Sequence, residues 1–304
     1  MDIDNNPVNE ESPVTFRSGY VSITGRPNVG KSTFMNHVLG QKISIVTSKP
    51  QTTRNRVLGI KNLPGAQIVF LDTPGIHRPE HGLGEFMNQE AKQAIRDVDV
   101  VLFMVEPKMP SKQDSLIVRS FRGLDKPVVL LVNKIDRVKK DSILPVLAAY
   151  AELFEFDSIF PVSALKGAGL EEVLSRLVEL LPEGPRFYPE DMITDNLERF
   201  LVAEIVREKV MLMTEEEVPH AAAVEVIEWT EREDKIYVRA DIIVEKPTQK
   251  GIIIGKKGER LKSIGTQARA DIESLLGTGV YLELFVKVKE QWRRKRSVLT
   301  DLGF

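Results

Sequence analysis

Gly25-Arg26-Pro27-Asn28-Val29-Gly30-Lys31-Ser32 places glycine, lysine and a hydroxyl at every position that a phosphate-cradling P-loop constrains. The apolar Tyr20-Val21-Ser22-Ile23 precedes it and the helix-like Thr33-Phe34-Met35-Asn36-His37-Val38-Leu39 follows, so the stretch lies where a strand passes into a helix. Gly25 and Gly30 permit the tight turn that aims successive N–H groups at an anion. The helix N-terminus adds partial positive charge. The stretch predicts a nucleoside-triphosphate site, with Lys31 on the β- and γ-phosphates and the Ser32 hydroxyl on Mg²⁺. Arg26, Pro27, Asn28, Val29 and Thr33 complete it.

Outward from this point, residues 19–181 alternate strand-like and helix-like segments. Gln67–Leu71, Val98–Val105, Pro127–Val132 and Ser158–Val162 read as buried strands. Ser111–Arg122, Asp141–Glu152 and Leu170–Leu181 carry helical periodicity. The alternation predicts an α/β fold with a mostly parallel sheet and helices on both faces. Polar, threonine-rich Thr47–Arg56 reads as an exposed loop, and Arg56–Lys61 as an edge strand.

Three further motifs fall at predicted strand ends. In Leu71-Asp72-Thr73-Pro74-Gly75, Asp72 is expected to hold Mg²⁺ and the Gly75 N–H to face the γ-phosphate, with Thr73, Pro74 and Ile76 lining the same loop. Asn133-Lys134-Ile135-Asp136 reads a base. The Asp136 carboxylate accepts two N–H bonds from guanine, a pair adenine does not offer, and each charged bond is worth about 1.5–3 kcal/mol. Asn133 braces the loop and the Lys134 stem covers the ring. In Ser163-Ala164-Leu165, the Ala164 N–H is expected on the guanine oxygen. Thr52 and Thr53 both lie where a switch threonine reaches Mg²⁺; Thr53 is the favoured of the two. Lys31, Thr53, Asp72 and Gly75 are thus the expected catalytic set.

The 304 residues suit about two domains. There is no cysteine, so disulfides and thiolate chemistry are excluded, and four scattered histidines offer no zinc spacing. The longest apolar run is too short to span a bilayer, and the acidic, polar start does not read as a signal peptide, so a cytoplasmic protein is expected. Leu181–Pro189, with three prolines and a glycine, reads as a stiff linker. The expected division is a flexible 1–16, a first domain over 17–182, a linker over 183–190 and a second domain over 191–304. In the second, Asp195–Met213 reads as a helix, Ala221–Trp229 and Lys235–Val244 as strands, helices flank Gly255, and Tyr281–Val288 is a last strand. The net charge of −2 hides local basic clusters at 246–262 and 287–296.

Ile252-Ile253-Ile254-Gly255-Lys256-Lys257-Gly258, between two helices, resembles the Gly-x-x-Gly loop of a type II KH module. That resemblance implies RNA binding through Ile254, Gly255, Lys256, Lys257, Gly258, Arg260 and Lys262. Arg293 and Arg294 of the basic tail are candidates to grip RNA phosphates. The tail alternatively solvates a terminal helix whose Trp292 packs on the domain, or touches anionic lipid. Together the P-loop, the Pro-Gln-Thr-Thr-Arg stretch, Asp-Thr-Pro-Gly-Ile-His, Asn-Lys-x-Asp and the Gly-x-x-Gly module resemble the Era-type GTPases, within the translation-factor-related GTPases. The resemblance implies a P-loop GTPase domain followed by a smaller α+β type II KH domain. It implies GTP and GDP as ligands, small-subunit (16S) ribosomal RNA and the small ribosomal subunit as partners, and a role in subunit maturation. It further suggests a monomer with peripheral contact at the inner membrane. Ile76 stands where Ras-like enzymes carry a water-orienting glutamine, so slow intrinsic turnover is expected. Relatives with an apolar residue there recruit K⁺ through a P-loop asparagine, here Asn28; the alternative is that Asn28 only pins its loop. A second reading makes the chain chiefly an RNA-binding assembly factor with GTP as a structural ligand.

Overall fold

Continuous apolar runs become strands covered on both faces, and runs with apolar residues three or four apart become the covering helices. The computed structural model describes residues 15–76 and 82–304. The first part comprises β1 (Arg17–Gly25), α1 (Lys31–Leu39), β2 (Val57–Leu63), β3 (Ala66–Asp72), α2 (Gly82–Arg96), β4 (Val100–Val105), α3 (Lys112–Arg119), β5 (Val128–Val132), α4 (Ile143–Leu153), β6 (Ser158–Pro161) and α5 (Leu170–Leu180). Its strands lie in the order β2-β3-β1-β4-β5-β6, with β2 alone antiparallel. All residues of β3, β4 and β5 are buried, and the two faces of the sheet form separate apolar cores. Because β1 lies between β3 and β4, its neighbours' connections run to opposite sides. A crevice therefore opens at the carboxyl ends of the strands, where such folds bind ligands.

The second part comprises α6 (Glu198–Met213), α7 (Val218–Ala221), β7 (Ala223–Glu231), β8 (Lys235–Val244), α8 (Pro247–Ile254), α9 (Glu259–Leu276), β9 (Gly279–Val288) and α10 (Arg296–Asp301). The sheet order is β7-β8-β9, with β8 and β9 parallel. A parallel pair needs a crossover, which α8 and α9 supply. The helix–strand–strand–helix–helix–strand order is that of the type II KH arrangement. Among the described residues, no helix is long and apolar enough to cross a membrane.

The segment between the two parts is strapped down. Fully buried Gln67 accepts at Oε1 from Phe187 N (2.9 Å) and Tyr188 N (3.0 Å) and donates to Tyr188 O (2.9 Å). Next, Ile60 N donates to Ile193 O (2.7 Å) and Leu58 N to Asn196 Oδ1 (3.1 Å), covering the edge that β2 would otherwise expose.

Two elements escape the sequence reading. Helix α2 buries Leu83, Met87, Ala91, Ala94 and Ile95, a stripe at helical spacing but diluted by small residues and surrounded by polar ones. The strand expected from Ala221 begins at Ala223, because Pro219 starts the short helix α7. Of the N-terminal stretch 1–16, only Thr15 and Phe16 belong to the described residues.

Candidate functional site

The loop after β1 wraps the start of α1. Gly30 has φ 108°, and a Cβ there would meet Asn133 Nδ2 at 2.2 Å, so only glycine fits. Lys31 is buried, and its Nζ donates to Arg26 O (3.0 Å) and more weakly to Gly25 O (3.4 Å). Burial lowers its pKa to about 8, against the opposing pull of the Asp72 carboxylate. Arg26 turns away from the cavity, its Nε donating to buried Asp114 (2.8 Å), which also caps α3 through Ser111. Asn28 donates to Ser48 O (2.6 Å), Val29 is buried, and Pro27 and Thr33 line a cavity of about 420 Å³. The loop over residues 45–53 forms its opposite wall.

At the floor, three oxygen-bearing side chains converge. Ser32 Oγ donates to Asp72 Oδ2 (2.6 Å) and lies 3.1 Å from Thr53 Oγ1. Asp72 is fully buried; burial raises its pKa, opposed by Lys31 and by the neighbouring hydroxyls. Its Oδ1 is buried with no hydrogen-bond partner. A hard, all-oxygen donor set with one unmet carboxylate lone pair fits Mg²⁺. Thr52 points elsewhere: its hydroxyl is engaged with Thr47 Oγ1 and Lys49 O, both at 2.7 Å. Thr73 donates to Ile23 O (2.8 Å), tying the loop after β3 to β1. Gly75 lies against Pro27, where a Cβ would sit 2.6 Å from Pro27 N, and Ile76 N donates to Gly25 O (3.3 Å). Ile76 packs onto the apolar core and presents no polar atom from its side chain.

The loops expected to read the base meet at Asn133. Its Nδ2 donates to Val29 O (2.8 Å) and its Oδ1 accepts from Ala164 N (2.9 Å). The latter differs from the expectation for Ala164, whose N–H is taken up by the nearest buried acceptor. Asp136 Oδ1 accepts from Ser163 Oγ (2.6 Å), which fixes the carboxylate's orientation. Exposed Leu165 is the next residue of that loop. Lys134, at φ 66°, donates to Asn28 O (2.5 Å) and Glu106 Oε1 (2.7 Å), so its stem crosses the cavity mouth. Glu106 was not legible from any motif. Burial works to raise its carboxyl pKa, but Lys134 and Lys108 hold it down at about 2.

In the second part, Gly255 (φ 72°), Lys257 (φ 52°) and Gly258 (φ 81°) form a left-handed turn between α8 and α9. Lys256 and Lys257 are exposed on it, Ile254 is half-buried behind it, and Arg260 donates to Ile252 O. Beside the turn, a groove of about 430 Å³ runs between α9 and β9, lined by Lys262, Leu261, Gly265, Arg269, Tyr281 and Leu284 among others. Gly265, Arg269 and Tyr281 went unrecognised in the sequence because no motif marks them. Arg293 is half-buried in an ion pair with Glu245 (2.5 Å) and is turned from the surface expected for it, leaving Arg294 exposed. Trp292 is fully buried in the turn that precedes the terminal helix α10, so the tail packs onto the domain. Among the described residues, no cluster of three or more His, Cys, Asp or Glu side chains is suited to a metal.

A family model described as a 50S ribosome-binding GTPase matches residues 20–134, and a KH domain model matches residues 217–293. Curated relatives include the GTPase Era of Geotalea daltonii, 52% identical over 291 residues (95% of this chain, 98% of that one). That of Geobacter metallireducens is 51% identical over 292 residues, with the same coverage. A solved structure of Era in complex with MgGDPNP and nucleotides 1506–1542 of 16S ribosomal RNA is similar with TM-score 0.92 and 46% identity, covering 95% of this chain and 99% of that chain. A variant of the Aquifex aeolicus Era bound to GDP.AlF4- gives the same values.

Proposed function

Because the chain belongs to the Era family of GTPases, we propose that it is a GTP-hydrolysing switch that binds small-subunit ribosomal RNA and assists maturation of that subunit. Residues 17–182 form its GTPase domain and residues 191–304 its KH domain. Both proposed sites are built from a single chain, which supports a monomer as the working unit.

The observation that carries the reading is the convergence of Ser32, Thr53 and Asp72 at the carboxyl ends of the strands, beside a buried lysine. Ser32, Thr53 and Asp72 are the residues that would hold Mg²⁺, which when bound neutralises charge developing on the phosphates. Lys31 would exchange its two backbone acceptors for phosphate oxygens. Gly75, with no side chain, lets its loop approach the γ-phosphate. Asp136, oriented by Ser163, accepts the two N–H groups of guanine. Leu165 N–H is the donor for the guanine oxygen, since Ala164 N–H is engaged by Asn133. RNA lies in the groove between α9 and β9, with its backbone against the Gly255–Gly258 turn and bases over Leu261 and Leu284.

A finer step concerns K⁺. Ile76 cannot orient water. Asn28 and the Ser48 carbonyl, a P-loop side chain and a backbone oxygen from the facing loop, already meet at 2.6 Å. Asn28 spends its amide N–H on that carbonyl, so a K⁺ at the mouth of the cavity would be held by Asn28 Oδ1 and the carbonyl's second lone pair, adding positive charge beside the phosphates where Ile76 offers no polar group.

The test is binding of a 3′-terminal small-subunit RNA fragment to the full chain loaded with a non-hydrolysable GTP analogue, with GDP, or with an ATP analogue. RNA affinity should depend on which guanine nucleotide is bound. Equal RNA affinity in all three states would overturn the switch.

A further inference from the structure

Thr53 is bracketed by two anchors, both on the KH side of the molecule. On one flank, Thr52 O accepts from Arg207 Nη2 of α6, and Arg207 is itself held by Glu204, Nε to Oε1 at 2.7 Å. On the other flank, the Arg54 side chain is only 1% exposed. Its guanidinium donates to the carbonyls of Ala222 (2.7 Å), His220 (3.0 Å) and Pro219 (3.2 Å). The Arg54 Cζ also lies 5.8 Å from the centre of the Trp292 ring. Among the described residues no carboxylate comes within ion-pairing distance of Arg54, and its Nε is buried without a partner.

A buried cation with no ion-paired carboxylate, Glu204 acting on it only from longer range, and with one unmet donor is a costly way to pin a loop. An apolar side chain filling the same space would hold the two parts together more cheaply. What the arginine adds is direction, because three carbonyls from one short segment fix a planar fork in one orientation. Trp292 extends the contact: its Nε1 donates to Ala221 O (2.8 Å), and it packs in one cluster with Leu83 and Met87 of α2.

We propose that Arg54 is a positioning residue for GTP hydrolysis: anchored on the Pro219–Ala222 segment and Trp292, it holds Thr53 against Ser32 and Asp72, so the KH half supplies part of the hydrolytic geometry. This rests on Thr53 being the hydrolytic threonine, as proposed above. Movement of the 219–222 segment, which leads directly into β7, withdraws Thr53 from the floor of the cavity. GDP binding, which has no γ-phosphate for Thr53 to attend, is untouched.

The test is single-turnover GTP hydrolysis by the full chain across a Mg²⁺ titration, with GDP affinity measured alongside, for Arg54→Ala, Arg54→Lys, Arg207→Ala and Thr53→Ala. Losing several charge-assisted bonds predicts at least a roughly tenfold slower step for Arg54→Ala and a higher Mg²⁺ requirement, with GDP affinity unchanged. Arg54→Lys, keeping the charge but not the fork, should fall between. A parent-like rate and Mg²⁺ dependence in Arg54→Ala, beside a slow Thr53→Ala, overturns the inference alone. A parent-like Thr53→Ala removes the reading on which it rests. Should Arg54→Ala lose GDP binding through misfolding, Arg207→Ala loosens the same bracket from its other flank, and parent-like behaviour there also overturns the inference.

Discussion

Asp136→Asn puts the choice of purine to a quantitative test. In the structure the Ser163 hydroxyl donates to Asp136 Oδ1 at 2.6 Å. An asparagine would keep that bond with its own carbonyl oxygen, because Ser163 Oγ already accepts from Lys166 N (3.3 Å) and has its hydrogen left to donate. Its amide nitrogen is therefore turned toward the base, where guanine presents N–H donors. One charged hydrogen bond is lost, worth about 1.5–3 kcal/mol, and a buried donor facing a donor adds about 1–3 kcal/mol. The sum corresponds to about a 10²- to 10⁴-fold loss of GTP affinity. Xanthine carries a carbonyl where guanine has its amino group, so the same amide gains an acceptor and the xanthine nucleotide should bind more tightly than before. Displacement of a fluorescent nucleotide by GTP, the xanthine triphosphate and ATP, in Mg²⁺, reads both changes. Less than about a tenfold loss for GTP with no gain for xanthine would show that the carboxylate does not read the base.

Lys31 should leave a signature in the nucleotide-free protein. With its folded pKa lowered to about 8 from 10.5, the unfolded chain holds the extra proton between those values, so stability rises with pH across that window. Urea unfolding should show about 2 kcal/mol more gain between pH 7.5 and 9.5 than Lys31→Met shows, and an identical pH dependence in the two would contradict the burial of a charged amine. Lys256→Asp combined with Lys257→Asp should abolish RNA binding while GTP affinity is retained. Any residual binding should show a salt dependence shallower by about one unit of slope for each phosphate no longer neutralised. Full RNA affinity in that variant would move the site to Arg294 and the tail. Hydrolysis measured in KCl and NaCl at matched ionic strength should be faster in KCl, and Asn28→Ala should erase the difference; equal rates for the parent would end the K⁺ proposal.

What the sequence made legible is what a ligand forces into a short stretch of chain. Phosphates demand Gly25, Gly30, Lys31 and Ser32 within eight residues, and a purine demands Asn133 and Asp136 on one turn. These are readable from the chain alone, as are the mostly parallel sheet and the turn at Gly255–Gly258. Contacts between distant segments are not. Arg54 reaches Ala222 across 168 positions, and Asn133 reaches Ala164 across 31. The choice between Thr52 and Thr53 turns on which hydroxyl already has local partners, and Thr47 and Lys49 take that of Thr52. Arg293 looks like one more cation in a basic tail, yet Glu245, 48 residues earlier, claims it. Helix α2 stays hidden because alanines do much of its packing and carry little hydropathic signal.

These long-range contacts bear on how one chain joins two ligands. The wall of the nucleotide cavity over residues 45–53 is held less by its own domain than by α6. Glu208 accepts from Val46 N (2.9 Å), Lys49 donates to the carbonyls of Met211 and Thr214, and Arg207 donates to Thr52 O. Glu208 also receives Lys42 and Lys209, and both lysines bond Asp271 of α9, the helix that forms one side of the groove proposed for RNA. A continuous set of charged bonds thus runs from the triphosphate wall through α6 to α9. The Glu208–Lys209–Asp271 route is buried or half-buried, so salt screens it weakly, whereas Lys42 is exposed and its two bonds are screened more. Any ligand that binds one arrangement of α9 better than another biases the wall, and a γ-phosphate that orders the wall biases α9 by the same free energy. Reciprocity needs no moving part beyond α6 and the α9 helix it bonds.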